Sequence, residues 1–199
     1  MSTKIYKINP VPSLLSHNAH PKVKTLYSSK EDMSNLLSAR RVGIVGTRKP
    51  SSYGRAITQK IASELAKAGV VIVSGLALGV DSIAHQAAVD ANKPNIAVLP
   101  SSIDNIYPKT HAVLARRIIE TGGALLSEYP QHAPLHKSNF IARNRMIAAL
   151  SEIVIITEAA EKSGSLHTAQ FALDQGIDVM AVPGAITNEL SHGTNNLIK

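Results

Sequence analysis

The chain has 199 residues, a length that suits one domain with room for a small extension. Hydrophobic residues make up 44% with no tryptophan and 4% aromatics, so aliphatic side chains must fill the core. Lys and Arg total 21 against 14 Asp and Glu, a net +7 that suits either a polyanionic partner or solubility alone, and the absence of cysteine excludes a disulfide framework, a thiolate zinc site and a Cys nucleophile.

Residues 1–39 differ from the rest. They hold Pro10, Pro12 and Pro21 and short apolar pieces at Leu14-Leu15 and Leu36-Leu37. This reads as an extended N-terminal arm with room for one short helix, packed on the core or leading into it, and a disordered tail is the alternative for the first dozen residues. No apolar leader opens the chain and no apolar run is long enough to cross a membrane, which with the missing cysteines predicts a cytoplasmic location.

From residue 40 to 199 strands and helices alternate. A strand over 41–46 leads through a polar turn to a helix over 53–68, where Ile57, Ile61 and Leu65 share a face. A β-branched run over 70–73 predicts a strand buried on both faces, broken by Ser74-Gly75. Asp81 is placed to cap a helix over 82–91. Strands follow over 95–100, 124–127, 152–157 and 178–182, and helices over 110–120, 140–150 and 164–175. The longest irregular core stretch is 128–139, and 183–199 reads as loop-rich. The alternation predicts an α/β fold with a doubly wound, mostly parallel sheet. In such sheets ligands sit beyond the carboxyl ends of the strands.

The turns gathered on that edge carry Gly46-Thr47-Arg48-Lys49, Ser74-Gly75, Lys137 and Ser138, Arg143-Asn144-Arg145, Lys162-Ser163-Gly164-Ser165 and Thr168. Phosphate binding needs N–H and O–H donors with planar cations, and this set supplies both. Each piece also has a plainer reading. Arg48-Lys49 could be a solvated turn, Arg143 and Arg145 could pair with Glu152 or Glu158, and Ser163-Gly164-Ser165 could be a helix cap. Phe140 is either a base-stacking platform or a core residue at the start of a helix. Dinucleotide binding fits poorly, because no G-x-G-x-x-G follows the first strand and no G-x-x-x-x-G-K-[ST] loop is present. His132 and His136 have Pro134 between them, so no helix face presents them to a metal, and none is expected. A Ser74 nucleophile with Asp81 and His85 lacks the G-x-S-x-G elbow.

Gly46-Thr47-Arg48, Ser74-Gly75-x-Ala77-x-Gly79-Val80-Asp81, Tyr107-Pro108, Ser127-Glu128-Tyr129-Pro130, Phe140-x-x-Arg143-Asn144-Arg145-x-Ile147, Ser163-Gly164-Ser165-x-x-Thr168-Ala169, Pro183-Gly184 and Gly193-Thr194-Asn195 stand in a shared order and spacing. In these motifs the sequence resembles the DNA processing protein A (DprA/Smf) family. The resemblance runs from about Arg40 to the end, with a weaker echo over 14–27. Ile141 departs from it, standing where the family usually has proline, as does 101–104, which lacks the family's usual glycine. The resemblance implies an extended Rossmann-like domain that binds single-stranded DNA, protects it in natural transformation, helps load the RecA recombinase and acts as a homodimer. It implies no catalysis and no cofactor. Family phosphate contacts would fall on Arg48, Ser74, Gly75, Lys137, Arg143, Asn144, Ser163, Gly164 and Thr168, with Phe140 near a base. The candidates read from the residues add Gly46, Thr47, Arg145 and Ser165. Two other classes stand beside this one. A nucleotide or nucleoside-phosphate hydrolase would use Glu158 or Asp81 as base, but 158–168 does not match P-G-G-x-G-T-x-x-E. A nucleotide-sensing module would use the same pocket.

Overall fold

A computed structural model describes residues 3–199. Short valine, isoleucine and leucine runs form strands β3 (Arg41–Val45), β4 (Val71–Ser74), β5 (Asn95–Val98), β6 (Ala124–Ser127), β7 (Ile153–Ile156) and β8 (Asp178–Ala181). These pair in parallel, while β1 (Tyr6–Ile8) and β2 (Leu26–Ser28) add an antiparallel flank, giving one eight-stranded sheet of order β1-β2-β6-β5-β4-β3-β7-β8.

Helices cover both faces: α1 (Ser34–Ser38), α2 (Ser52–Lys67), α3 (Val80–Asp90), α4 (Ala112–Glu120), α5 (Ser138–Leu150), α6 (Ser165–Asp174) and α7 (His192–Ile198). The period of two divides the central strands between them. Val71 and Val73 pack in a cluster with Met146–Leu150 of α5 and with Ala169 and Ala172 of α6. Ile72, Val42 and Ile44 pack instead with Ala62, Ala66, Ala84 and Ala88 of α2 and α3. The sheet is thus doubly wound, as the alternation predicts. The chain returns from β6 through α5 to β7, beside β3. That return is the switch in strand order that opens a crevice at the carboxyl ends of β3 and β7.

Three local features differ from expectation. The N-terminal residues are built into the sheet: β1 and β2 pair with each other and then with β6, and Leu15, Ala19, Val23 and Leu26 join the core cluster. The C-terminal stretch, loop-rich in sequence, ends in a short helix, α7. Asp81 lies inside α3, which starts at Val80 with no side-chain cap, and its carboxylate accepts a hydrogen bond from the Gly75 N–H (3.1 Å). The Gly75–Gly79 turn is short enough to put that carboxylate under the end of β4. Among the described residues no helix is long and apolar enough to cross a membrane.

Candidate functional site

The loops after β3, β4, β6 and β7 meet around a cleft of about 590 Å³ at the carboxyl edge of the sheet. Gly46, Thr47, Arg48 and Lys49 form one wall, Phe140, Arg143 and Asn144 a second, and Ser163, Gly164, Ser165, His167 and Thr168 a third. Arg48 and Lys49 are exposed, whereas Thr168 is 1% and Ser165 8% exposed.

The β3 loop is held from below by Glu158. Its two carboxylate oxygens accept from the Ser51 N–H (2.8 Å) and the Ser51 hydroxyl (2.6 Å), and its carbonyl accepts from the Thr47 N–H (2.7 Å). Ser51 in turn caps α2 by accepting from the Gly54 N–H (3.0 Å). Glu158 is 1% exposed, so the loop carrying Arg48 stands on a buried, fully engaged carboxylate.

The β4 turn is held by Arg143, which is 5% exposed. Its Nη1 donates to the carbonyls of Gly75 and of Val98 (the latter 2.7 Å). A Cβ on residue 75 would collide with this guanidinium, which explains glycine there better than any need for ligand approach. Burial pulls the Arg143 pKa below its ordinary value, and the Asp81 carboxylate partly offsets that. Burial likewise raises the Asp81 pKa, against the opposing pull of Arg143 and the Ala77 and Gly75 amides. Gly79, at φ 80°, occupies the left-handed region where a side chain would strike the backbone of Thr47 and Arg48.

Aromatic contacts extend the cleft. The Arg48 guanidinium lies over the Phe140 ring, 5.6 Å from its centroid. Tyr107 meets Phe140 edge-on, with centroids 5.4 Å apart and planes at 79°. Together with Gly75, Ala77, Leu78 and Pro108 they border a smaller slot of about 50 Å³ beside the cleft.

Of the residues singled out from sequence, the structure brings Gly46, Thr47, Arg48, Phe140, Arg143, Asn144, Ser163, Gly164, Ser165 and Thr168 to the cleft. Gly75 borders the side slot, its amide committed to Asp81. Ser74 is fully buried and its hydroxyl donates to the Ile44 carbonyl (2.6 Å), so it offers the cleft nothing. Lys137 is exposed at the start of α5 but is not among the lining residues. Arg145 is turned away from the cleft. It donates to the Pro21 carbonyl from Nε (2.6 Å), to the Ala142 carbonyl, and to Glu128 in a 2.6 Å ion pair. Tyr107, His167 and Leu190, which the motifs did not mark as site residues, lie against the cleft or slot. Only the fold puts them there. Among the described residues no cluster of three or more His, Cys, Asp or Glu could hold a metal.

Fold and site together define a Rossmann-like α/β domain whose crevice is walled by cations, hydroxyls and helix N-termini. The sequence model described as DNA recombination-mediator protein A matches residues 6–199, and the chain belongs to that family, the DNA processing protein A (DprA/Smf) family. It is 46% identical over 165 residues to Protein Smf of Escherichia coli (strain K12), covering 83% of this chain and 44% of that protein. It is 39% identical over 199 residues to DNA processing protein DprA of Bacillus subtilis (strain 168), covering 96% of this chain and 66% of that one. It therefore spans less than two thirds of the length of both relatives. The fold superposes with a TM-score of 0.89, at 36% identity, on DNA processing protein A from Helicobacter pylori, solved to study its single-stranded DNA binding mode. That match covers 100% of this chain and 89% of the other.

Proposed function

We propose that this chain binds single-stranded DNA, with the phosphate backbone in the 590 Å³ cleft and a base against Phe140. The observation that carries this reading is the composition of the cleft: exposed Arg48 and Lys49 face the open N-terminus of α6 and the ring of Phe140. Cations with free donors and an aromatic platform suit a strand whose bases are unpaired. The single-stranded DNA binding of the H. pylori relative supports it. Family membership supports extending the proposal to protection of DNA in natural transformation and to loading of RecA, in the cytoplasm. The homodimer fits the open edge of β8, where Leu173, Met180, Ile186 and Ile198 are each more than half exposed.

A binding role is favoured over hydrolysis because Glu158 is fully engaged and Asp81, the carboxylate that lines the cleft, is only 5% exposed. Both Glu158 oxygens bond Ser51, and Asp81 is buried against Gly75. A general base needs an oxygen free to take a proton.

The decisive measurement is oligo-dT affinity across salt for the native chain and for Arg48→Ala. Native binding should weaken steeply with salt, because phosphate contacts release counterions. Arg48→Ala should weaken it by about 1–3 kcal/mol without lowering the melting temperature. Salt-independent binding that also ignores this substitution would sink the proposal.

A further inference from the structure

Much of the net charge lies outside the cleft. The first thirty residues hold five lysines (Lys4, Lys7, Lys22, Lys24 and Lys30) and no Asp, Glu or Arg, against a net charge of +7 for the whole chain. The fold carries part of this charge to the functional edge. Strand β2 runs antiparallel to β6, with Tyr27 opposite Ser127 and Ser28 opposite Leu126. The residues just before β2 therefore pass beyond the carboxyl end of β6, on the edge where the cleft opens.

These residues are held in one arrangement. Val23 is 2% exposed and its N–H donates to the Leu15 carbonyl (3.1 Å), while Lys22 and Lys24 on either side are exposed. The Pro21 carbonyl accepts from Arg145 Nε (2.6 Å), and the same guanidinium pairs with Glu128 at the end of β6. Arg145 sits on α5 two residues beyond Arg143, which lines the cleft. One arginine thus fixes the lysine-bearing segment to the helix that forms a cleft wall.

We propose that Lys22 and Lys24 form a second contact stretch for the same single strand, taking the phosphates that leave the cleft past α5. Arg145 is the positioning residue that holds this stretch in place. The proposal rests on the cleft binding single-stranded DNA, and it adds direction and length to that site. An ordered cationic segment beside a phosphate cleft lengthens the track at little entropic cost, because its backbone is already fixed.

The test compares two oligo-dT probes by fluorescence anisotropy: one of about six nucleotides, enough to fill the cleft, and one of about twenty. The double variant Lys22→Ala/Lys24→Ala should bind the short probe like the native chain and the long probe about five-fold more weakly. Its salt slope for the long probe should shrink by about 1.4, two contacts at about 0.7 each. The charge-preserving Lys22→Arg/Lys24→Arg variant should restore binding. Lys67→Ala/Lys93→Ala, which removes equal charge before β4 and β5 at the opposite edge, should leave both probes unaffected. Unchanged long-probe affinity in the first variant overturns the proposal. So does an equal loss on both probes, or an equal loss from the opposite-edge pair, since either marks a general field and not a contact. Failure of the cleft reading is separately visible, as Arg48→Ala would then leave both probes untouched.

Discussion

Four of the helices that start at the functional edge are of two kinds. At α2 and α3 the chain supplies its own anion: Glu158 bonds Ser51 at the cap of α2 and packs against Gly54, and Asp81 lies in the first turn of α3. At α5 and α6 the first turn contains no acidic residue, and no side chain caps the helix. Helix N-termini carry unsatisfied amides and a partial positive charge, so each needs an acceptor. The first pair has one built in and serves as scaffold. The second pair has no built-in carboxylate, its early amides closing only on backbone carbonyls (Asn139 and Phe140 on His136 and Lys137, Leu166 and His167 on Ser163 and Gly164), and the exposed cations Arg48 and Lys49 share the cleft with α6. On the proposed function, the division separates the part of the edge that positions from the part that would bind.

The scaffold half gives the largest expected effect. Glu158→Ala removes the acceptor for both the Ser51 amide and its hydroxyl and leaves a hole beneath the β3 loop. Each stranded donor costs about 1–3 kcal/mol, so stability should fall by about 3 kcal/mol or more in denaturant titration. If Glu158 were a catalytic base and not a strut, removing it would cost activity and little stability.

The closure of the α3 side to water makes the next. His85 is fully buried on α3, its Nδ1–H donating to Asn95 Oδ1 (2.7 Å), and burial lowers its pKa from 6.5 to about 4. With the folded value depressed, the unfolded chain binds the extra proton first. The stability held by neutral His85 is therefore complete above pH 6.5 and is lost as pH falls through about 4. The loss should reach about 3 kcal/mol. Urea titrations at stepped pH should show this slope in the native chain and a flatter one in His85→Gln. Equal slopes would mean that water reaches α3.

The two halves were not equally readable beforehand. The central strands were, because β-branched runs such as Val71-Ile72-Val73 have few alternatives. The flanking strands β1 and β2 were not. Each has three residues, and pairing alone makes them strands. Helix α7 reads His-Gly-Thr-Asn-Asn-Leu-Ile, a poor helix former, and is anchored by the Gly193 N–H on the Ala159 carbonyl (2.9 Å) and by Asn195 hydrogen bonds to Gly184. On α2 the apolar periodicity pointed to Ile57, Ile61 and Leu65, but the most buried positions are Gly54, Thr58, Ala62 and Ala66, which let α3 approach closely. At the site, residue type located the turns but could not assign the arginines. Arg143 reaches a carbonyl 68 positions away and Arg145 one 124 positions away, and spacing in sequence says nothing about either. Once those partners are known, Arg48 becomes the exposed arginine of the cleft, and the two α5 arginines become struts.

The smallest expected change in stability tests the division most directly, by giving α6 the character of α2. Gly164 precedes the first turn of α6 with φ −61°, and a Cβ placed there meets nothing within 4 Å. Gly164→Asp is therefore free of strain and puts a carboxylate where α2 and α3 already have one. Beside the positive end of α6 it should hold stability level or raise it by about 0.5 kcal/mol. As an internal anion facing Arg48 and Lys49 it should compete with phosphate and weaken oligo-dT binding by about tenfold or more, most at low salt. Gly164→Asn supplies the same bulk without the charge and should retain most of the binding. A loss of affinity in the aspartate variant alone, with melting temperature preserved in both, is what an open helix terminus requires. If Asn and Asp weaken binding alike, bulk at position 164 is responsible, and the α6 terminus is not where the phosphate sits.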